Sequence, residues 1–334
     1  MYKIAIDAMG GDNAPQSVIG GIKKAHDAFD DVHFVVVGQE DVVLPLLGTY
    51  AASDRVQTVN AAQVISNNEH PVNALRRKRD SSIVVAFNML KNKEVDAFVS
   101  AGSTGAVLAG AQLIVRTVPG IRRCALAPVI PTTRGPAVLI DCGANVDSKP
   151  EDLVQYAFMG SIYAQALNMN TRIGLINIGA EEEKGNDLTK EAYKLLEASP
   201  LNFIGNVEAR DIPFGDADVL VCDAFVGNVV VKLMEGMASA LFTMLKEEMM
   251  AKFVYQIGAG ILKPALVNFK KRMDYSEYGG APLLGANGCI IKTHGSSDET
   301  AIFSTIRQAR EYIGADITNI IAEKVQTLGL AITK

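Results

Sequence analysis

The stretch "DAMGGDNAP", residues 7 to 15, is the first part of the chain whose residue types suggest chemistry. Asp7 and Asp12 flank Gly10 and Gly11, so it reads as a metal site, a phosphate cradle or a turn. Four similar clusters follow: Ser100-Ala101-Gly102-Ser103-Thr104-Gly105, Asp141-Cys142-Gly143-Ala144-Asn145, Asn177-Ile178-Gly179 and Asp223-Ala224-Phe225-Val226-Gly227-Asn228. Glycine lets backbone approach a ligand closely, and amides at helix starts attract anions. Any one of these loops reads more readily as an ordinary turn. Five of them, each ending a strand-like run, read as a site for an anion and a carbonyl oxygen. No metal and no cofactor are expected, because Asp7 and Asp12 have no evident third ligand.

No activated nucleophile stands out. The chain has no G-x-x-x-x-G-K-[ST], no G-x-S-x-G, and no G-x-G-x-x-G after its first strand. Cys124, Cys142, Cys222 and Cys289 are far apart, which excludes a zinc ribbon or redox pair and suits a reducing cytosol. Cys142 and Cys222 read as small core residues. Of four histidines, His26 and His33 read as surface positions and His70 precedes Pro71 at a helix start. His294 is the one placed to meet an anion, with a solvated loop residue as its plain alternative. One reaction type suits this set. If inorganic phosphate is the nucleophile, the protein need only hold it, align it and polarise the carbonyl under attack.

These clusters must be positioned by the elements between them. Apolar runs at Tyr2–Asp7, Phe34–Gly38, Val56–Asn60, Val95–Ala101, Ala137–Asp141, Ile173–Ile178, Phe203–Val207 and Val219–Asp223 alternate with helical patterns. They are apolar on both faces, as strands between two helix layers are. The expectation is parallel βαβ units, with the clusters on the carboxyl edge of the sheet. Residues 228–257 read as a long helix, Gly258 and Gly260 as its break, and Pro264 as the first turn of a second helix to about Met273. That gives a helical hairpin over 228–273 with "IGAGIL" at its tip. Ser296 reads as the N-cap of a later helix, with Glu299 completing a capping box.

The chain has 334 residues, 49% hydrophobic and 21% charged, with 32 basic and 37 acidic residues and a net charge of −5. That balance does not suit nucleic-acid binding. The N-terminus enters a strand directly, so no signal peptide is expected. Residues 97–115 and 153–171 lack charge but carry polar positions throughout, and both read as soluble elements.

Seven motifs then occur in order: "AIDAMGGDNAP", "SAGSTGA", "DCGANVD", "NIGAEEEKGN", "AFVGNVVVK", "YGGAPLLG" and "HGSS". With these the chain resembles the bacterial phosphate acyltransferase family, PlsX, from residue 4 to beyond residue 300. The resemblance implies transfer of a fatty acyl group from acyl-carrier protein to inorganic phosphate, giving acyl-phosphate for phospholipid synthesis. It implies a cytoplasmic homodimer in transient contact with the inner face of the membrane. The implied fold is a three-layer α/β/α arrangement with a parallel-rich mixed sheet, like isocitrate and isopropylmalate dehydrogenases. Residues 1–334 would form a single catalytic unit of two lobes around a cleft, with the hairpin projecting. A phosphotransacetylase-like enzyme using short acyl-coenzyme A is the nearest alternative, and a non-catalytic lipid-pathway scaffold a more distant one.

Rim reading and resemblance together nominate Asp7, Asp12, Asn145, Lys184, Asn228 and His294 as catalytic. They nominate Gly10, Gly11, Gly102, Ser103, Thr104, Gly105, Gly143, Gly179, Gly227 and Ser296 as substrate- or phosphate-binding. Lys184 follows Glu181-Glu182-Glu183, so a solvated charge run is its plain alternative. Carrier docking needs local positive charge. Arg76-Arg77-Lys78-Arg79 and Lys270-Lys271-Arg272 offer it, and the second is preferred because it adjoins "YGGAPLLG". Ile257, Ile261 and Leu262, flanked by Lys252 and Lys263, are expected to dip into a lipid surface. Ser103 stands where the family often has Asn, and Ala224 where it often has Gly. The second departure bears on any role needing positive φ there.

Overall fold

The structure is a computed structural model, and it describes residues 1–273 and 278–327. Its strands form two sheets. The first runs in the order β3 (Val56–Asn60), β2 (Val32–Gly38), β1 (Tyr2–Asp7), β4 (Ala97–Ser100), β12 (Cys289–Lys292), β11 (Ala281–Leu284) and β5 (Ala125–Leu126). The second runs β6 (Val129–Thr132), β7 (Gly135–Ile140), β10 (Val219–Val221), β8 (Ile173–Asn177) and β9 (Phe203–Glu208). Strands β1, β2, β3, β4 and β12 are mutually parallel, as are β7, β8, β9 and β10; β5, β6 and β11 pair antiparallel. All eight expected runs are strands.

The helices are α1 (Gln16–Ala28), α2 (Glu40–Leu47), α3 (Pro71–Arg77), α4 (Ser82–Lys91), α5 (Thr104–Gly110), α6 (Pro150–Ala166), α7 (Asp187–Glu197), α8 (Ala224–Met250), α9 (Phe253–Met273), α10 (Glu299–Gly314) and α11 (Ile317–Thr327). Alternate residues of β1 go to opposite layers, as the pleat requires. Ile4 and Ile6 join a cluster with Ile22 of α1 and Ile302 of α10, while Ala5 joins Phe87 of α4 and Val107 of α5. The first cluster continues beneath the second sheet through Val138, Ile173 and the buried Tyr156 of α6. On that sheet's other face, Leu139 and Leu220 meet Val226, Val230 and Met234 of α8. The uncharged stretches fall into β4 with α5, and into α6.

Three helix boundaries differ from expectation. Helix α8 ends at Met250, not near residue 257, and α9 begins at Phe253. Gly258, Gly260 and Pro264 therefore lie inside α9, and "IGAGIL" is on the body of that helix instead of the tip. The turn is held by a side chain: Gln256 Nε2 donates to the Met250 carbonyl at 3.0 Å, engaging one of the carbonyls a helix end leaves open. The later helix is capped by Asp298, whose carboxylate accepts from both Thr300 and Ala301 amides at 2.9 Å, and not by Ser296. His26 is packed, not superficial: it bonds Ser53 and stands edge-on to Tyr50.

Candidate functional site

Because β1, β4 and β12 are parallel neighbours, the loops that follow them share one edge. Asp7, the last residue of β1, is buried. The hydroxyls of Ser100 and Ser82 and the Met9 amide donate to its carboxylate, with Ser100 Oγ at 2.7 Å. Burial nevertheless pushes its pKa up, and those bonds only partly oppose the shift. Ser100 also accepts from the Gly102 amide at 2.9 Å, which folds the 101–105 loop over the acid. Gly10 seals the arrangement: a Cβ there would collide with Asp7 and lie 2.7 Å from the Gly102 nitrogen. The Asp12 amide donates to the Gly295 carbonyl at 2.7 Å, and the Asn13 side chain to Ser296 and Ser297 carbonyls.

The loops at 8–13, 101–105 and 293–297 are thus joined to one another. They bring together Asp7, Gly10, Gly11, Asp12, Gly102, Ser103, His294 and Ser296. Ser103 is buried and its hydroxyl caps α5; Thr104 is exposed beside it, and Gly105 packs against Pro71 of α3. His294 is exposed, with Nδ1 2.7 Å from the Ser296 hydroxyl. Lys292, at the end of β12, is a member of this rim that motif reading missed; it is only 6% exposed.

The second sheet has its own rim. Buried Asp141 follows β7 and accepts from the amides of Leu126, Ala144 and Asn145 and from Asn145 Nδ2, at 2.8 to 3.1 Å. Burial raises its pKa against these bonds. Asn145 Nδ2 also donates to the Cys124 carbonyl, so both its donors are engaged in holding the loop. Gly143 has φ +136°, open to glycine alone at low strain. Gly227 presses on Asp141: a Cβ would clash with its carbonyl oxygen and lie 3.0 Å from Cys222 Sγ. Asn228, next along α8, is exposed.

The two rims meet along β5, whose Leu126 and preceding Cys124 bind the 141–145 loop. Ala144 packs on the same cluster as Ala106 and Val107 of α5. Around β8, Asn177 ties Lys184 and Asn206 together, and Gly179 lies against the Lys184 stem. Lys184 itself is exposed, with no ion-pair partner among the described residues. No described contact joins it to the first rim. Lys270 is exposed on α9; the side chains of Lys271 and Arg272 lie outside the described residues.

All four cysteines are buried. Burial pushes the Cys142 and Cys124 thiols up to about 12 and raises Cys222 strongly. A thiolate nucleophile is therefore disfavoured at the rim. Among the described residues no group of three or more His, Cys, Asp or Glu is placed to hold a metal ion. A broad hollow of about 820 Å3, lined by Arg134, Met169, Arg172 and Asn202, lies toward the amino ends of β8 and β9, opposite the rim.

Residues 2–320 match the family model described as "Fatty acid synthesis protein". A phosphate acyltransferase of Clostridium novyi (strain NT) is 50% identical over 327 residues, covering 97% of this chain and 98% of the relative. One from Thermoanaerobacter pseudethanolicus is 48% identical over 329 residues, 98% of each. The chain belongs to the phosphate acyltransferase family. Its fold is also that of a Streptococcus pyogenes phosphotransacetylase, at TM-score 0.62 and 17% identity, over 93% of this chain and 94% of that one. A branched-chain phosphotransacylase from Enterococcus faecalis V583 aligns at TM-score 0.59 and 14% identity, over 94% and 99%. In this phosphate acyltransferase family member, Ala224 is the first residue of α8 and its φ is not positive, so glycine is not required there.

Proposed function

We propose that the protein transfers a fatty acyl group from acyl-carrier protein to inorganic phosphate, releasing acyl-phosphate for phospholipid synthesis. A phosphate oxygen bonds to the thioester carbonyl carbon, the C–S bond breaks, and the carrier thiolate leaves and takes up a proton. The observation that carries direct attack is the state of the rim thiols: Cys142 and Cys222 are buried and held protonated. The backbone amides of the glycine-rich loops would polarise the carbonyl. The two sheets would act as one catalytic unit in the cytoplasm, working as a homodimer.

Phosphate-dependent consumption of a long acyl thioester tests the reading. Cys142→Ala and Cys222→Ala should each keep near-normal turnover, and trapping of a labelled acyl-enzyme would overturn direct attack. The shared fold with phosphotransacetylases supports a second reading, in which short acyl-coenzyme A is the donor. Activity with coenzyme A thioesters and none with carrier-linked ones would establish it, and no turnover with either would leave a scaffold. The hairpin is read as the lipid-contacting element. Ile257, Ile261 and Leu262 are 52%, 76% and 52% exposed on α9, too few to span and suited to dipping into an interface. Helix α8 is long and apolar enough to cross a membrane by length and composition, but its first turns belong to the second sheet's core.

A further inference from the structure

Lys292 stands in a row with an acid and a hydroxyl. Pairing of β12 with β4 sets Lys292 beside Ser100, and pairing of β4 with β1 sets Val99 beside Ile6, one residue before Ser100 and Asp7. Residues paired across parallel strands share a face. Asp7, Ser100 and Lys292 therefore line one face on three adjacent strands, where the loops at 8–13, 101–105 and 293–297 meet. The Lys292 side chain is buried, and its Nζ donates to the carbonyl of its own neighbour, Thr293. An ammonium has three donors. Among the described residues that is its one hydrogen bond, and no carboxylate pairs with it directly; Asp7 and Asp12 act on it only through their fields. A buried cation with open donors is costly unless an anion completes it.

We propose that Lys292 is the buried cation of the phosphate site, its open N–H donors taking oxygens of an inorganic phosphate held between the three loops. The assignment rests on the phosphate-acyltransferase reading and names the residue on which the phosphate charge is neutralised. Asp7 does not compete for the ammonium, because its carboxylate is already bonded by Ser82, Ser100 and the Met9 amide. Exposed Asp12 repels the anion, and this leaves the cation on the floor of the rim as the group that draws phosphate in.

The test uses the full-length protein, with inorganic phosphate as the probe. Lys292→Met should raise the phosphate KM by about 10- to 100-fold, the loss of a charge-assisted hydrogen bond. The KM for the acyl thioester should stay near that of the unaltered protein, and Lys292→Arg should recover part of the phosphate affinity. Phosphate should raise the Tm of the unaltered protein and not that of Lys292→Met. If Lys292→Met does not fold, Lys292→Gln gives the same two readouts. An unchanged phosphate KM, or an unchanged phosphate shift in Tm, would overturn the assignment. Failure of the transfer reading looks different: the unaltered protein would show no phosphate-dependent turnover, while the Tm comparison would still decide whether phosphate binds at Lys292.

Discussion

Gly227 and Gly260 sit on the two helices of one hairpin, in opposite circumstances. A methyl group on Gly227 would run into the Asp141 carbonyl, whereas one on Gly260 would meet nothing within 4 Å. The same contrast runs through the molecule. At the rims, polar groups are buried and bonded, with Asp141 holding four donors. Along the hairpin, apolar groups are exposed: Leu233 is 62% exposed and Phe253 75%. The rims are finished surfaces whose glycines mark backbone touching backbone. The hairpin is an unfinished one, whose apolar face the described residues leave uncovered.

The largest expected effect comes from breaking the finished side. Gly227→Ala should lower the unfolding free energy by about 2–4 kcal/mol, because the Asp141 backbone must move away from the added methyl group. Gly260→Ala should instead raise it by about 0.5–1 kcal/mol, the helix-propensity gain. Denaturant unfolding of both variants checks the pair. Equal midpoints for Gly227→Ala and the unaltered protein would end the distinction between the two regions.

A smaller effect is expected at the first rim. Burial lowers the Lys292 pKa from 10.5 to about 8, while Asp7 and Asp12 raise it. Between those values the unfolded chain binds more protons than the folded one, so stability rises with pH across that window. Below about 8 the penalty is complete, about 3 kcal/mol; above about 10.5 it is gone. Unfolding without phosphate at about pH 7 and about pH 10 should show Lys292→Met gaining more on the unaltered protein at the lower pH. An equal difference at both pH values would mean Lys292 is not buried as a charge.

What could be read without the structure follows the same division. The eight strand runs were legible because burial on both faces demands continuous apolar residues. The rim clusters were legible because close backbone approach demands glycine, as at Gly10 and Gly227. Strands β5, β6, β11 and β12 were not: β5 and β6 run on to β7, and β11 to β12, with no helix between them, outside the strand–helix alternation that marks the others. Lys292 was missed because lysine reads as surface and its burial is a tertiary fact. The hairpin turn was misplaced because Gly258, Gly260 and Pro264 look like breaks, while a pairing of Gln256 with the Met250 carbonyl leaves no mark in local propensity. Asp298 displaced Ser296 as the cap because one carboxylate accepts two amides.

The smallest change in stability is expected on the exposed face of the hairpin. Ile257 and Ile261 are four residues apart on α9, so they share a helix face. Lys252 and Lys263 lie near them, each able to add about 1 kcal/mol of attraction to an anionic lipid surface. Ile257→Glu with Ile261→Glu places two carboxylates on that face. Stability should change by no more than about 0.5 kcal/mol, because both positions are already in water. Binding to vesicles containing anionic lipid should be abolished, with turnover in solution retained. If the double variant instead dissociates to monomers in sedimentation, the face is covered by a second copy of the chain and the lipid reading fails. Retained vesicle binding would place any lipid contact elsewhere, because the two carboxylates would have to enter the interface with their helix.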